Sequence, residues 1–229
     1  MKMARFKKIL LLMIIILSAT INPAAEAKDN GPTATVIVNN MQLYYAKVND
    51  YSAAFVQTTA HKLFSGKLQR SYGKVNFKNG GLMRWEYARP AQKLFVYDGA
   101  TLWVYEPEVP QIFKAKADAD RLRKGLAFLT GEGKIRDSYR VKKVTASKFG
   151  FTKGYVLKLY PKQKNSPFKH VELYVNSTNY RVERSVVVDH DGNRNRLDFS
   201  SVKTNTSPPA AMFSFTPPAG VPIIDGMPK

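Results

Sequence analysis

The chain of 229 residues has no cysteine. That excludes disulfides, thiolate metal sites, cysteine nucleophiles and a lipid anchor on an N-terminal cysteine. Histidine is scarce, and His61, His170 and His190 lie in different segments without ligand spacing. There is no G-x-S-x-G elbow and no glycine-rich phosphate loop. Glu86 and Glu106 are not evidently paired acids. The run Asp189-His190-Asp191-Gly192-Asn193 has some of the look of a calcium loop but lacks its later glutamate, and a hairpin turn explains it better. These absences point away from an enzyme: no catalytic residue, no metal and no cofactor are expected.

Acidic residues are also scarce. Lys plus Arg is 36 against 17 Asp plus Glu, for a net charge of +19. Such a charge favours anionic partners. The bases are scattered, however, whereas a nucleic-acid groove would gather them on one element with aromatics between. No nucleic-acid partner is expected, and a polyanion-binding module is the alternative from a different functional class.

Long apolar runs are missing except at the start. Lys2, Arg5, Lys7 and Lys8 precede the unbroken run Ile9 to Leu17, and Ala25-Glu26-Ala27 fits a small-x-small cleavage site. The run falls short of the ~20 residues that span a bilayer, so residues 1–27 are expected to be a secretory signal peptide. They carry four bases and Glu26, which leaves residues 28–229 near +16. Residues 28–229 contain no evident linker or repeat and are expected to form one domain.

What is plentiful is alternation. Between residues 73 and 105 four strands follow one another, separated by turn residues. Val75 and Phe77 alternate with lysines and asparagine, and Asn79-Gly80-Gly81 turns the chain. Met83, Trp85 and Tyr87 alternate with Leu82, Arg84 and Glu86. Lys93 to Tyr97 and Thr101 to Tyr105 are joined by Asp98-Gly99, a hairpin dipeptide. These last two strands are apolar on both sides, which leaves open what covers their second face.

Ile37, Met41, Tyr44 and Val48 predict a helix over residues 33–49, and Tyr51 to His61 predicts a strand with Tyr51, Ala53, Phe55 and Gln57 on one side. Leu122, Leu126 and Leu129 recur at i, i+4 and i+7 with Phe128 beside them, after acidic residues and before Gly131: a short helix, weakened by Gly125. Further strands are expected at 139–146, 155–160, 171–175, 182–189, 194–199 and 202–205. Strands at this spacing suggest one large antiparallel sheet that curls or closes, and its inner face could hold either a packed core or a ligand.

Several motifs resemble one family. Residues 73–87 (GKVNFKNGGLMRWEY), Pro90 and 98–105 (DGATLWVY) look like the central signature of the LolA-like outer-membrane lipoprotein carriers. Residues 51–58 (YSAAFVQT), 128–131 (FLTG) and 213–221 (FSFTPPAGV) resemble further family motifs in the same order. The resemblance implies a mainly β (α+β) fold: an unclosed antiparallel β-barrel, a curled half-barrel sheet, with an N-terminal helix and a short helical lid over its concave face. It implies a periplasmic chaperone of protein transport and outer-membrane biogenesis. Such a carrier binds the acyl chains of lipoproteins released by an inner-membrane ABC transporter and delivers them to an outer-membrane receptor of similar fold. The receptor carries a lipidated cysteine that this chain lacks, so the soluble carrier is the match, expected as a monomer. The expected acyl-chain surface is Val75, Phe77, Met83, Trp85, Phe95 and Trp103, with Leu122, Leu126, Phe128 and Leu129 in the lid. A periplasmic lipid- or glycolipid-binding or envelope-sensing protein of the same fold is the nearest alternative. One departure stands out: some relatives latch the lid with an arginine before a proline after the second strand, and here the pair is Asn79-Gly80. Arg84, one strand later, falls opposite Trp85 by alternation.

Overall fold

A computed structural model of the chain describes residues 31–62, 67–116 and 135–226. The expected signal peptide at 1–27 and the expected lid residues Leu122, Leu126, Phe128 and Leu129 lie outside them.

Helix α1 (Ala34–Tyr45) starts where the Thr33 hydroxyl accepts a hydrogen bond from Val36 N. It buries Ile37, Val38, Met41 and Tyr45 on one face. Val48 is buried as the periodicity suggests, but the helix ends before it, closed by Val48 N donating to Tyr45 O.

The strands then follow: β1 (Asp50–Ala60), β2 (Leu68–Lys78), β3 (Leu82–Arg89), β4 (Lys93–Tyr97), β5 (Thr101–Glu106) and β6 (Gln111–Lys116). A one-turn helix α2 (Ile135–Ser138) leads into β7 (Tyr139–Val144), β8 (Gly154–Pro161), β9 (His170–Asn176), β10 (Val182–Val188), β11 (Arg194–Thr204) and β12 (Ile223–Asp225). They form one sheet in the order β12-β6-β5-β4-β3-β2-β1-β11-β10-β9-β8-β7. Every pairing is antiparallel except β12 on β6. The ends of that order, β12 and β7, are not paired with each other, so the sheet is open. It curls all the same: Tyr97 and Leu102 near one edge share a core with Leu157 and Leu159 near the other.

Residues 194–204 form a single strand instead of two. The break suggested by Ser200-Ser201 is a bulge: Ser201 takes φ 51°, the register shifts between Ser52 and Ala54, and pairing with β1 continues on either side.

The second face of β4 and β5 is covered by the chain itself. A 3₁₀ turn, Ala210–Phe213, lies on β3 and buries Phe213. Phe215 then packs against Trp103 and Tyr105, with ring centroids 5.7 and 5.8 Å apart. The back of the other half is closed the same way: Phe149 and Phe151, from the turn after β7, pack on Tyr174 of β9.

Asparagines and one buried aspartate tie the α1–β1 connection down. Asn79 N and Nδ2 donate to Asn49 O and Oδ1, and Asn205 Nδ2 donates to Lys47 O. Asp50 accepts from Thr206 N, Thr206 Oγ1 and Ser207 N at 2.8–2.9 Å. Burial pushes the Asp50 carboxyl up, but these donors outweigh it and hold it below the usual carboxylate range.

Candidate functional site

The register assigns each aromatic to a face. Val75 pairs with Trp85, Trp85 with Phe95, and Phe95 with Val104. Phe77 pairs with Met83, and Met83 with Tyr97. All lie on the concave face, where Phe55 and Tyr87 join them across β1 and β3. The rings form a continuous track: Phe95–Tyr87 6.1 Å, Tyr87–Phe55 5.0 Å, Phe55–Trp85 5.1 Å, Trp85–Phe77 6.1 Å and Phe77–Tyr51 6.3 Å. Tilted and edge contacts at these separations are the favourable aromatic geometries.

Five of the six residues expected on the acyl-chain surface are therefore together: Val75, Phe77, Met83, Trp85 and Phe95. Trp103 is not with them. It pairs with Val96, whose own partner is Arg84, so it lies on the convex face. There it packs on Phe215 and donates Nε1–H to Asp98 Oδ2 at 3.2 Å. β5 is apolar on both sides, so alternation alone did not say which side faced in.

Sequence reasoning put Tyr51 and Phe55 on one side of β1 without assigning them to the site, and it missed Phe199 and the concave residues of the second half, such as Leu157, Leu173 and Val187. The alternation of Tyr155, Leu157 and Leu159 in β8 was a legible signal. In β9 every residue but the last is buried, on both faces, so no alternation remains to read. Gly73 was noted only as part of a motif. In the structure it faces Phe55 and Tyr87, and a Cβ there would collide with the Phe55 ring and the Glu86 carbonyl. It leaves the space in which two rings meet over the strand.

The concave face is not uniform. Over β1, β2 and the far half of the sheet it is dry, with Val75, Phe77, Leu157 and Leu173 at most 3 % exposed and α1 packed into the same core. Toward β3–β6, Trp85, Tyr87, Phe95 and Phe113 are only partly buried. Polar groups on the face are few. Burial pushes the Tyr45, Tyr51 and Tyr87 hydroxyls up, so they stay protonated. The Trp85 indole N–H lowers Tyr87 against that push. A recess of about 290 Å³ lies elsewhere, between the start of α1 and Arg136, Arg140 and Lys162.

Arg84 points away from the concave face. Its Nε pairs with Glu86 at 2.7 Å and its Nη1 donates to Met212 O, so it fastens the C-terminal segment. Among the described residues no group of three or more His, Asp or Glu could hold a metal, and no helix is long and apolar enough to cross a membrane. The arrangement is a large apolar-aromatic surface suited to binding a chain-like apolar ligand.

Residues 46–216 match the family described as outer membrane lipoprotein carrier protein LolA. An outer-membrane lipoprotein carrier protein of Chromobacterium violaceum is 30% identical over 195 residues, 85% of this chain and 90% of that protein. One of Nitrosomonas europaea is 26% identical over 214 residues, 93% of this chain and 98% of that protein. The crystal structure of an uncharacterized conserved protein of Thermus thermophilus shares the fold, with a TM-score of 0.53 at 16% identity, covering 84% of this chain and 99% of that one. With the family match running over most of the chain, and an open curled sheet beneath it, this chain belongs to the outer-membrane lipoprotein carrier family.

Proposed function

We propose that the protein is a non-enzymatic periplasmic carrier. It takes the acyl chains of lipoproteins released from the inner membrane by an ABC transporter, shields them, and delivers them to an outer-membrane receptor. The observation that supports this most is the aromatic track from Phe95 to Phe77 on the concave face of an open sheet, partly exposed toward β3–β6. Each methylene withdrawn from water contributes ~0.8 kcal/mol, so one long acyl chain gains on the order of 10 kcal/mol. A carrier keeping all of that could not release its cargo. Here α1 already fills part of the face with Ile37, Val38, Met41 and Tyr45. Cargo that reaches under it must displace those contacts, and that cost lowers net affinity into a range that permits transfer.

Native mass spectrometry of protein purified from periplasm, with and without a co-expressed lipoprotein, tests the reading. Acylated lipoprotein should co-purify at one per chain, and a fluorescent fatty-acid probe should compete with it. Failure of both ligands to bind would remove the carrier function.

A further inference from the structure

Among the described residues, several buried hydrogen-bond donors on or beside the concave face have no acceptor. Tyr51 is 2% exposed, and its hydroxyl meets no partner among the described residues. Arg181 Nε is likewise buried and unpartnered, while Nη2 of the same guanidinium lies 3.8 Å from Glu183. Trp85 Nε1, farther along the track, also has no acceptor at hydrogen-bond geometry. A buried polar group left unsatisfied typically costs about 1–3 kcal/mol, so native structures rarely keep several near one another.

Two of these groups share one end of the site. The Tyr51 ring sits between Phe77 and Phe199, with centroids 6.3 and 6.4 Å away. Tyr45 Oη accepts from Val182 N at 3.1 Å, which places the Tyr45 ring beside Arg181-Val182. The Arg181 charge reaches both the Tyr45 and the Tyr51 hydroxyls. Tyr51 thus lies toward the end of the aromatic track that Phe199 closes, and the Arg181 charge acts on the Tyr51 hydroxyl there, beside Tyr45 of α1.

What is missing is of one kind. Arginine and indole nitrogens can only donate, and a phenol can donate. An amphiphile whose apolar part lies on the track would satisfy them if its head supplied acceptors. An alkyl chain alone supplies none. An ester or amide carbonyl supplies acceptors and no competing charge.

We infer that Tyr51 and Arg181 form a carbonyl-recognition end of the concave face, reading the ester or amide oxygens where an acyl chain joins its head. This rests on the carrier reading and adds a specificity to it: the protein distinguishes acyl from alkyl chains. In the unliganded protein the two donors are a built-in cost, and cargo relieves it.

The test uses the whole protein and two soluble probes of equal chain length, an ester-linked diacylglycerol and its ether-linked dialkyl counterpart, with affinities from calorimetry. The wild type should prefer the ester about 5-fold or more, the equivalent of one good hydrogen bond. Tyr51→Phe keeps the ring and removes the donor. It should bring the ester-to-ether ratio down toward one. It should also raise the Tm of the unliganded protein by about 2–4 °C, since an unsatisfied hydroxyl has gone. Arg181→Met should lower the ratio as well. An unchanged ratio in Tyr51→Phe overturns the inference, as does a Tm that falls, which would mean that water already satisfies the hydroxyl. If the wild type binds both probes equally, this inference fails and the carrier reading stands. If it binds neither, both fail.

Discussion

The two tryptophans sit on neighbouring parts of one meander, yet their surroundings are opposite. Trp85 faces inward among Phe55, Phe77 and Val75, and among the described residues its N–H meets no acceptor at full hydrogen-bond geometry, only the nearby Tyr87 hydroxyl. Trp103 faces outward, donates to Asp98, and is roofed by Phe215 from the C-terminal segment. The outer side has a fixed cover and a satisfied donor, as a structural core does. The inner side keeps partly buried aromatics and unmet donors, as a binding surface does. Large apolar residues on both faces of β4 and β5 thus have two kinds of surroundings, and the difference lies in whether the chain brings its own cover.

The largest expected effect breaks the inner side. Trp85→Asp places a charge on the apolar track, where burial without a partner costs several kcal/mol. Binding of a fluorescent acyl probe should fall by about a hundredfold or more, with the far-ultraviolet circular dichroism unchanged. Binding equal to wild type would take Trp85 out of the site.

Next comes the outer cover. Phe213 is 2% exposed, and Phe213→Ala should cost about 3–5 kcal/mol in urea unfolding. Below its midpoint the variant should still bind acyl probes. A variant equally stable but unable to bind would invert the assignment of the two faces.

Asp50→Asn tests the clamp from which the inner face begins. It weakens three hydrogen bonds to a carboxylate and should cost about 1–3 kcal/mol at neutral pH. The folded-state carboxyl is held below its ordinary value. Its contribution is therefore present above the unfolded pKa of about 3.9, and it fades as pH falls through the lower folded value. The stability gap between Asp50→Asn and wild type should close below about pH 4. A gap that persists into strong acid would contradict the sign.

The smallest effect is Trp103→Phe. It keeps packing on Phe215 and gives up one exposed hydrogen bond, so about 1 kcal/mol or less of stability should go. Acyl binding should stay within about 2-fold of wild type. A larger loss would return Trp103 to the binding surface.

Much of this was legible before any coordinates. Strands β2 and β4 run as their alternation and turn residues indicated, and the concave side of β1 to β3 could be read from Tyr51, Phe55, Phe77 and Trp85. Three things were not. Ser201 forms a bulge inside one long strand, because pairing to β1 resumes across it. Asn79 ties the β2–β3 turn to Asn49, a link between residues 30 apart that leaves no local pattern. The covers over Trp103 and Tyr174 come from segments far along the chain or irregular in backbone.

Sequence by itself determined the period-2 strands, their turns, the lack of any cysteine, and the family motifs. These are local, and local backbone preference and side-chain alternation encode them directly. Only the tertiary structure decided which face of β4 and β5 looks inward, what covers the other, and which donors stay unmet. When both faces of a strand are apolar, alternation carries no sign, and the choice is made by which distant segment reaches each face. For Trp103 that segment is the C-terminal Phe215; for Trp85 it is the curled sheet itself.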